Sequence, residues 1–307
     1  MRSVIVDNAA TFVDRRTGGS FPAASPALPD AVFVVEPDCF QVNLESAADN
    51  QYMDRVHPAD PDRALRQSQA LAQAMREKGV QVEVFPGDPE ATDGVFPNNV
   101  FATIPGRLII GSMLHASRRR EARRQDIRGF FADRAYLFTD LSEQPCIAEL
   151  TGPLIIDRGR GIGFCGITDR VDPAGVRAMH KAFDLRLTFT FKLVDGEYHT
   201  NVVMMILAGR ACVLYPGSFA DPAVPEAIRQ AFPGRTLYLS EKEKNAFAGN
   251  CIALTEKDLF MSATGYRALR PSSLETLNAW GFELCTVELD EIEKAGGSLR
   301  CMVAEIF

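Results

Sequence analysis

The chain reads as an α/β protein of repeated modules, and three features of the sequence predict it. Continuous apolar, β-rich runs alternate with segments of helical periodicity. The alternation recurs in modules of about 40 to 50 residues, some five times between Ala31 and Phe307. No Gly-x-Gly-x-x-Gly follows the first strand. A doubly wound dinucleotide-binding sheet therefore lacks support, and stacked or radially arranged modules are the expectation.

Residues 1–30 carry Arg15-Arg16-Thr17-Gly18-Gly19-Ser20 and three prolines, so a loose N-terminal extension is expected there, ahead of one catalytic domain over residues 31–307. Ala31 to Val35 is an unbroken apolar run of the kind a doubly buried strand needs, and Glu36-Pro37-Asp38 stops it. Between Asp60 and Lys78, Ala64, Leu65, Leu71, Ala72 and Met75 fall near helical spacing, with Gly79 as the stop. Val80 to Val84 alternates as a strand. The turn-like segment Asp93 to Val100 leads into strands around Phe101 to Thr103 and Leu108 to Ile110. Arg118-Arg119-Arg120-Glu121 opens a charged helix through about Phe131, for which a solvated face is the default. Strands follow at Leu150 to Ile156 and Gly161 to Cys165, then a helix from Asp172-Pro173 with proline in its first turn. The rest alternates likewise, down to the strand at Glu283 to Glu288 and an apolar stretch at Met302 to Phe307.

The bulk properties narrow the function. A net charge of -7 and 46% hydrophobic content suit a cytoplasmic enzyme with a substantial core and argue against a nucleic-acid partner. Neither a membrane-length apolar run nor a secretory h-region is present, so no membrane partner is expected. Seven dispersed cysteines without a Cys-x-x-Cys pair fit a reducing compartment rather than a disulfide scaffold or zinc site. The four histidines never occur as His-x-x-x-His, so no metal and no other cofactor is expected.

Cys301 is the candidate nucleophile. It follows Gly296-Gly297, which allow positive φ and close ligand approach, and precedes the apolar stretch that would fix the turn. A small buried cysteine of the C-terminal strand is the plainer alternative. A cysteine nucleophile needs a base, and His199, at a strand entrance beside Thr200 and Asn201, is the best placed; His180 sits within a helix, and His57 and His115 sit in loops. Glu149 opens a predicted buried strand, where a carboxylate must be paired or functional. Asp93, Asn98 and Asn99 offer donors and acceptors suited to a planar, nitrogen-rich group.

Five segments in order, Phe96 to Phe101, Glu149 to Gly152, Gly166 to Arg170, Tyr198 to Asn201 and Gly296 to Met302, resemble the amidinotransferase and arginine-deiminase superfamily, above all its citrulline-utilisation-type hydrolases. The resemblance covers the chain from about Ala31 onward. It implies a five-bladed, pseudo-symmetric α/β propeller of ββαβ modules (the pentein type), in agreement with the module count. It implies that Cys301 is the nucleophile, His199 the general acid/base, and Glu149 the carboxylate contacting both the histidine and the substrate nitrogens. Asp93 matches a substrate-contacting aspartate of the dimethylargininases, and Arg118 and Arg170 match the arginines that hold a substrate carboxylate. The implied partner is a small amino-acid substrate, with a second copy in a homodimer as the only protein partner considered.

Arginine deiminases have aspartates where this chain has Asn99 and Asn201. Burying a guanidinium without counter-charges costs several kcal/mol, whereas amides satisfy a neutral ureido group, so citrulline is the expected substrate. The expected products are ornithine, ammonia and carbon dioxide. An arginine deiminase, dihydrolase or dimethylargininase is the alternative within the class, and a non-catalytic amino-acid-binding propeller the alternative outside it.

Overall fold

The computed structural model describes residues 3–307. In chain order its strands are β1 (Val4–Val6), β2 (Ala31–Val35), β3 (Gln81–Phe85), β4 (Phe101–Ile104), β5 (Arg107–Ile110), β6 (Leu137–Asp140), β7 (Leu154–Asp157) and β8 (Ile162–Ile167). There follow β9 (Leu187–Lys192), β10 (Met204–Leu207), β11 (Ala211–Leu214), β12 (Thr236–Tyr238), β13 (Ile252–Ala253), β14 (Asp258–Ser262), β15 (Glu283–Val287) and β16 (Ala304–Ile306).

These strands form five separate sheets, ordered β16-β2-β3, β4-β5-β6, β1-β9-β8-β7, β10-β11-β12 and β13-β14-β15. Every sheet repeats one pattern, an antiparallel pair whose second strand is joined by a parallel third. Parallel neighbours need a crossover, and a helix supplies it each time: Pro61–Glu77, Gln125–Ala132, Pro173–Ala182, Ala223–Ala231 and Pro271–Ala279. The first sheet takes its leading strand from the far end of the chain, since β16 pairs with β2.

Local chemistry explains these elements. Helix Pro61–Glu77 starts where Asp60 accepts from the Arg63 amide, with proline at its first turn, and it buries Ala64, Leu71, Ala72 and Met75 on one face. It ends at Gly79, whose φ of 81° is left-handed. Val32 to Val35 are at most 2% exposed, as their unbroken apolar run requires. Phe33 meets Phe85 and Phe131 edge-on, at 5.4 and 6.0 Å between centroids.

Two expectations fail. Residues 4–18 are not loose: β1 extends the third sheet beside β9, and helix Ala9–Gly18 is capped by Asn8. That helix buries Phe12 completely, stacked on Phe189 at 4.6 Å. Its lone large buried side chain stabilises the docking by about 2–3 kcal/mol, a signal too sparse to show as a periodic stripe. The arginine run is not one solvated helix either. It breaks into helix Ala116–Arg119, a turn at Glu121–Arg123 and helix Gln125–Ala132, and Arg118 points inward.

Candidate active site

The site side chains come from one recurrent place in the modules. Asn98, Thr151, Asn201 and Cys301 each lie three residues before the leading strand of a sheet, β4, β7, β10 and β16 respectively. Glu149 and His199 each sit two residues further upstream. Tight turns here bury polar side chains that a strand would have pointed alternately in and out. Cys301 accordingly lies in a helical turn, Leu299–Met302, and β16 begins only at Ala304.

Two glycines are dictated by close approach. Gly296 has φ 74°, and a Cβ there would collide with Asn50. A Cβ at Gly152 would lie 2.7 Å from the His199 ring. Tyr198 further pins the turn ahead of Cys301 by donating from its hydroxyl to the Gly296 carbonyl at 2.7 Å.

One half of the site is ionic. His199 and Glu149 are fully buried, with Nε2 2.9 Å from Oε2. Arg170 donates through Nη1 to the same Glu149 oxygen at 3.1 Å, and through Nε and Nη2 to Asp49 at 2.6 and 2.8 Å. The Leu114 amide donates to Glu149 Oε1 at 3.2 Å. Burial opposes ionisation of Glu149, but Arg170 and the His199 hydrogen bond hold its carboxyl well below the usual carboxylate range. For His199, burial outweighs the Glu149 charge, with Arg170 and Arg118 adding repulsion, and the imidazole is pushed down to about 4. The ring is therefore neutral at pH 7. Because an ionised Glu149 can only accept, Nε2 carries the proton and Nδ1 the lone pair. Nδ1 is buried and has no partner among the described residues, so it is the atom free to take a proton.

Arg118 is consumed in the same way. It forks onto Glu121 at 3.1 and 2.9 Å, donates to the Phe96 carbonyl at 3.0 Å, and has Asp93 3.9 Å from Nε. Asp93 Oδ2 accepts from Asn43 and Ser46 at 2.9 and 2.5 Å, while Oδ1 is buried without a partner among the described residues. Four buried or half-buried carboxylates thus share two arginines; burial pushes Glu121 up to about 7, so its charge is only partly present near neutral pH, and carboxylates still outnumber guanidiniums here. Both arginines expected to hold a substrate carboxylate already hold carboxylates of the chain.

The other half surrounds the thiol with uncharged groups, with the Arg300 guanidinium at its edge, 3.5 Å from the Thr151 hydroxyl. Cys301 is 1% exposed, and its Sγ lies 3.2 Å from Asn250 Nδ2 and 3.5 Å from Asn201 Nδ2. Asn201 also donates to the Thr151 carbonyl at 3.3 Å, and Asn98 to the Thr151 hydroxyl at 3.2 Å. The side-chain oxygens of Asn98 and Asn99 are buried without partners among the described residues, two acceptors awaiting N–H donors. Burial pushes the Cys301 thiol up, against the Asn250 hydrogen bond that lowers it. Beside the Arg170–Glu149 pair opens a groove of about 690 Å³, lined by Asp49, Asn50, Arg170, Lys192 and Tyr198 among others.

Asn250 was not singled out in the sequence, where Gly249-Asn250-Cys251 reads as an ordinary turn. The module repeat is the signal that finds it: it lies two residues before β13, the leading strand of the fifth sheet.

Over residues 36–307 the chain matches the family described as N,N dimethylarginine dimethylhydrolase, eukaryotic. The chain belongs to this family. Membership places it in the amidinotransferase superfamily. The match takes in every sheet but omits β1 and β2. A curated relative, the bifunctional arginine dihydrolase/ornithine cyclodeaminase AgrE of a Nostoc species, is 24% identical over 260 residues, 84% of this chain and 35% of its own length. The chain therefore spans about a third of that relative. Two solved structures share the fold. The N-terminal domain of ArgZ, a cyanobacterial arginine dihydrolase, superposes with TM-score 0.79 at 21% identity, covering 90% of this chain and 97% of that one. A dimethylarginine dimethylaminohydrolase, in its adduct with S-methyl-L-thiocitrulline, gives 0.70 at 19% identity, covering 91% and 100%.

Proposed function

We propose that the protein hydrolyses the C–N bond of a ureido or guanidino amino acid through a covalent adduct on Cys301, with citrulline as the substrate its amides suit. The carrying observation is a buried thiol clasped by the amides of Asn201 and Asn250, in one cluster of turns with a neutral His199 whose Nδ1 is free. His199 Nδ1 takes the thiol proton as Sγ attacks the ureido carbon, and gives it to the departing nitrogen, which leaves as ammonia. Water, losing a proton to His199, then displaces Sγ and the thiol is re-formed. The released N-carboxy product loses carbon dioxide to give ornithine. No step calls for a metal or cofactor.

A second reading, arginine as the first substrate, is favoured by the excess of carboxylates over guanidiniums and by the open Oδ1 of Asp93, which would face a guanidinium. AgrE and ArgZ carry the name arginine dihydrolase. Under this reading the ionic half holds the cation of the first hydrolysis and the amides hold the ureido product for the second.

We also read the five sheets as blades of a propeller, with residues 31–307 as one catalytic domain and residues 4–18 docked on it. In support, β16 lies beside β4, β7 beside β10 and β10 beside β13, so leading strands are neighbours. The site then sits where the turns before them converge.

Mass analysis of products from citrulline, arginine, methylated arginines and agmatine tests the assignment. Ornithine and ammonia from citrulline are expected. Turnover of arginine to citrulline alone would make the protein a deiminase, and inertness toward the whole panel would remove the hydrolase reading.

A further inference from the structure

We propose that Asn250 is a catalytic residue, the fifth module's contribution to the site, whose side-chain amide stabilises the Cys301 thiolate as it forms on loss of its proton to His199. The proposal rests on Cys301 being the nucleophile.

The repeat supplies the first argument. The turns ahead of β4, β7, β10 and β16 carry Asn98, Thr151, Asn201 and Cys301, and the turn ahead of β13 carries Asn250, buried to 0% exposure. Every module thus delivers at least one polar side chain from the turn ahead of its leading strand.

The second argument is the bonding of the amide. Asn250 Nδ2 donates to the Asn201 carbonyl at 2.9 Å and lies 3.2 Å from Cys301 Sγ. Its Oδ1 accepts from the Cys301 amide at 3.4 Å, and its own carbonyl accepts from the Arg300 amide at 3.2 Å. The orientation is fixed, because a flipped amide would set Oδ1 against the Asn201 carbonyl, acceptor against acceptor. Nitrogen is therefore the atom at the sulfur.

A donor in that position discriminates between protonation states. A thiolate accepts a charge-assisted hydrogen bond and a neutral thiol only a weak one, so the amide favours the thiolate. No cationic side chain is hydrogen-bonded or ion-paired to Sγ among the described residues, where its partners are Asn201 and Asn250; the Arg300 guanidinium, bound to Glu305, favours the thiolate through its charge alone and is common to wild type and variants. Of the two donors, Asn250 is the nearer, and its other proton locks it to the Asn201 backbone. The same residue thereby ties the nucleophile turn to the turn that follows His199.

The test is the pH dependence of iodoacetamide alkylation at Cys301, followed on its peptide by mass, in the full-length protein and in Asn250→Ala and Asn250→Ser. In Asn250→Ala the inflection should move up by about one to two pH units, and kcat on citrulline should fall about 10²-fold with KM within about threefold. Asn250→Ser, which keeps a shorter donor, should fall between, and it carries the test if the alanine variant does not fold. An unmoved inflection in a folded variant, or kcat within about threefold of wild type, overturns the proposal. Cys301→Ala runs alongside. Activity surviving in it brings down the nucleophile reading itself, whereas an inactive Cys301→Ala with unmoved Asn250 variants removes only the role of Asn250.

Discussion

Glu149, Arg170 and Asp49, with Arg118, Glu121 and Asp93, bring six ionisable groups into one half of the site, each carboxylate within reach of a guanidinium. Across from them Cys301, Asn201, Asn250, Thr151 and Asn98 bury amides, a hydroxyl and a thiol with no charged side chain bonded to the sulfur. Burial acts on both, with different results. In the ionic half the arginine charge keeps Glu149 ionised while burial keeps His199 neutral, and the ionised Glu149 in turn sets which ring nitrogen carries the proton. Around the thiol, the Asn250 and Asn201 amides and the charge of the neighbouring Arg300 work against the burial that raises it. Under the proposed function, a site divided this way would receive a group that is cationic at one stage of the reaction and neutral at the next.

The largest effects should come from removing the reacting groups. Cys301→Ala should lower turnover by at least about 10³-fold on whichever panel member is consumed, read as ammonia release. Glu149→Gln should cost about 10²- to 10⁴-fold in kcat, since it replaces the charged, acceptor-only group that sets the His199 tautomer with an amide that can equally present a donor. Unlike Cys301→Ala it should also cost about 3 kcal/mol of stability in denaturant unfolding, by leaving Arg170 short of a counter-charge. Equal stability losses in the two variants would erase the distinction between the halves.

Converting the half around the thiol to an ionic one should change selectivity more than rate. Asn99→Asp with Asn201→Asp should shift the ratio of kcat/KM for arginine over citrulline upward by about tenfold or more. An unchanged ratio would mean that Asp93 and its neighbours alone read the charge of the substrate.

The smallest effect is on stability against pH. His199 titrates at about 4 in the fold against 6.5 for the free side chain, so the folded state resists its protonation. That stability is fully present above about pH 6.5 and is lost as pH falls toward about 4; Glu149, held below its ordinary value, works in the same direction at lower pH. Denaturant unfolding from about pH 8 to pH 4 should show the decline, and His199→Gln should flatten it by about 2–3 kcal/mol.

The module order, the thiol, the histidine and Glu149 were legible because each lies in a segment with its own character: a glycine pair, a polar entrance to an apolar run, a lone carboxylate against a buried strand. The roles of the arginines were not. A run of Arg118, Arg119 and Arg120 has no period that says which member turns inward, and the carboxylates that engage Arg118 and Arg170 include Asp49, 121 residues from Arg170. Asn250 was hidden for the opposite reason, since asparagine after glycine is what a common turn requires. The docking of residues 4–18 rests on the β1–β9 pairing, a strand of three residues, and on Phe12, one side chain too few for periodicity.

The central claim is that Cys301 forms a covalent adduct, and acid-quenched mass analysis during turnover tests it most directly. With citrulline or arginine, the peptide containing Cys301 should gain the substrate mass less ammonia, and the gain should vanish in Cys301→Ser. Ornithine formed at an undiminished rate by Cys301→Ser, with no adduct on the wild-type peptide, would contradict the account.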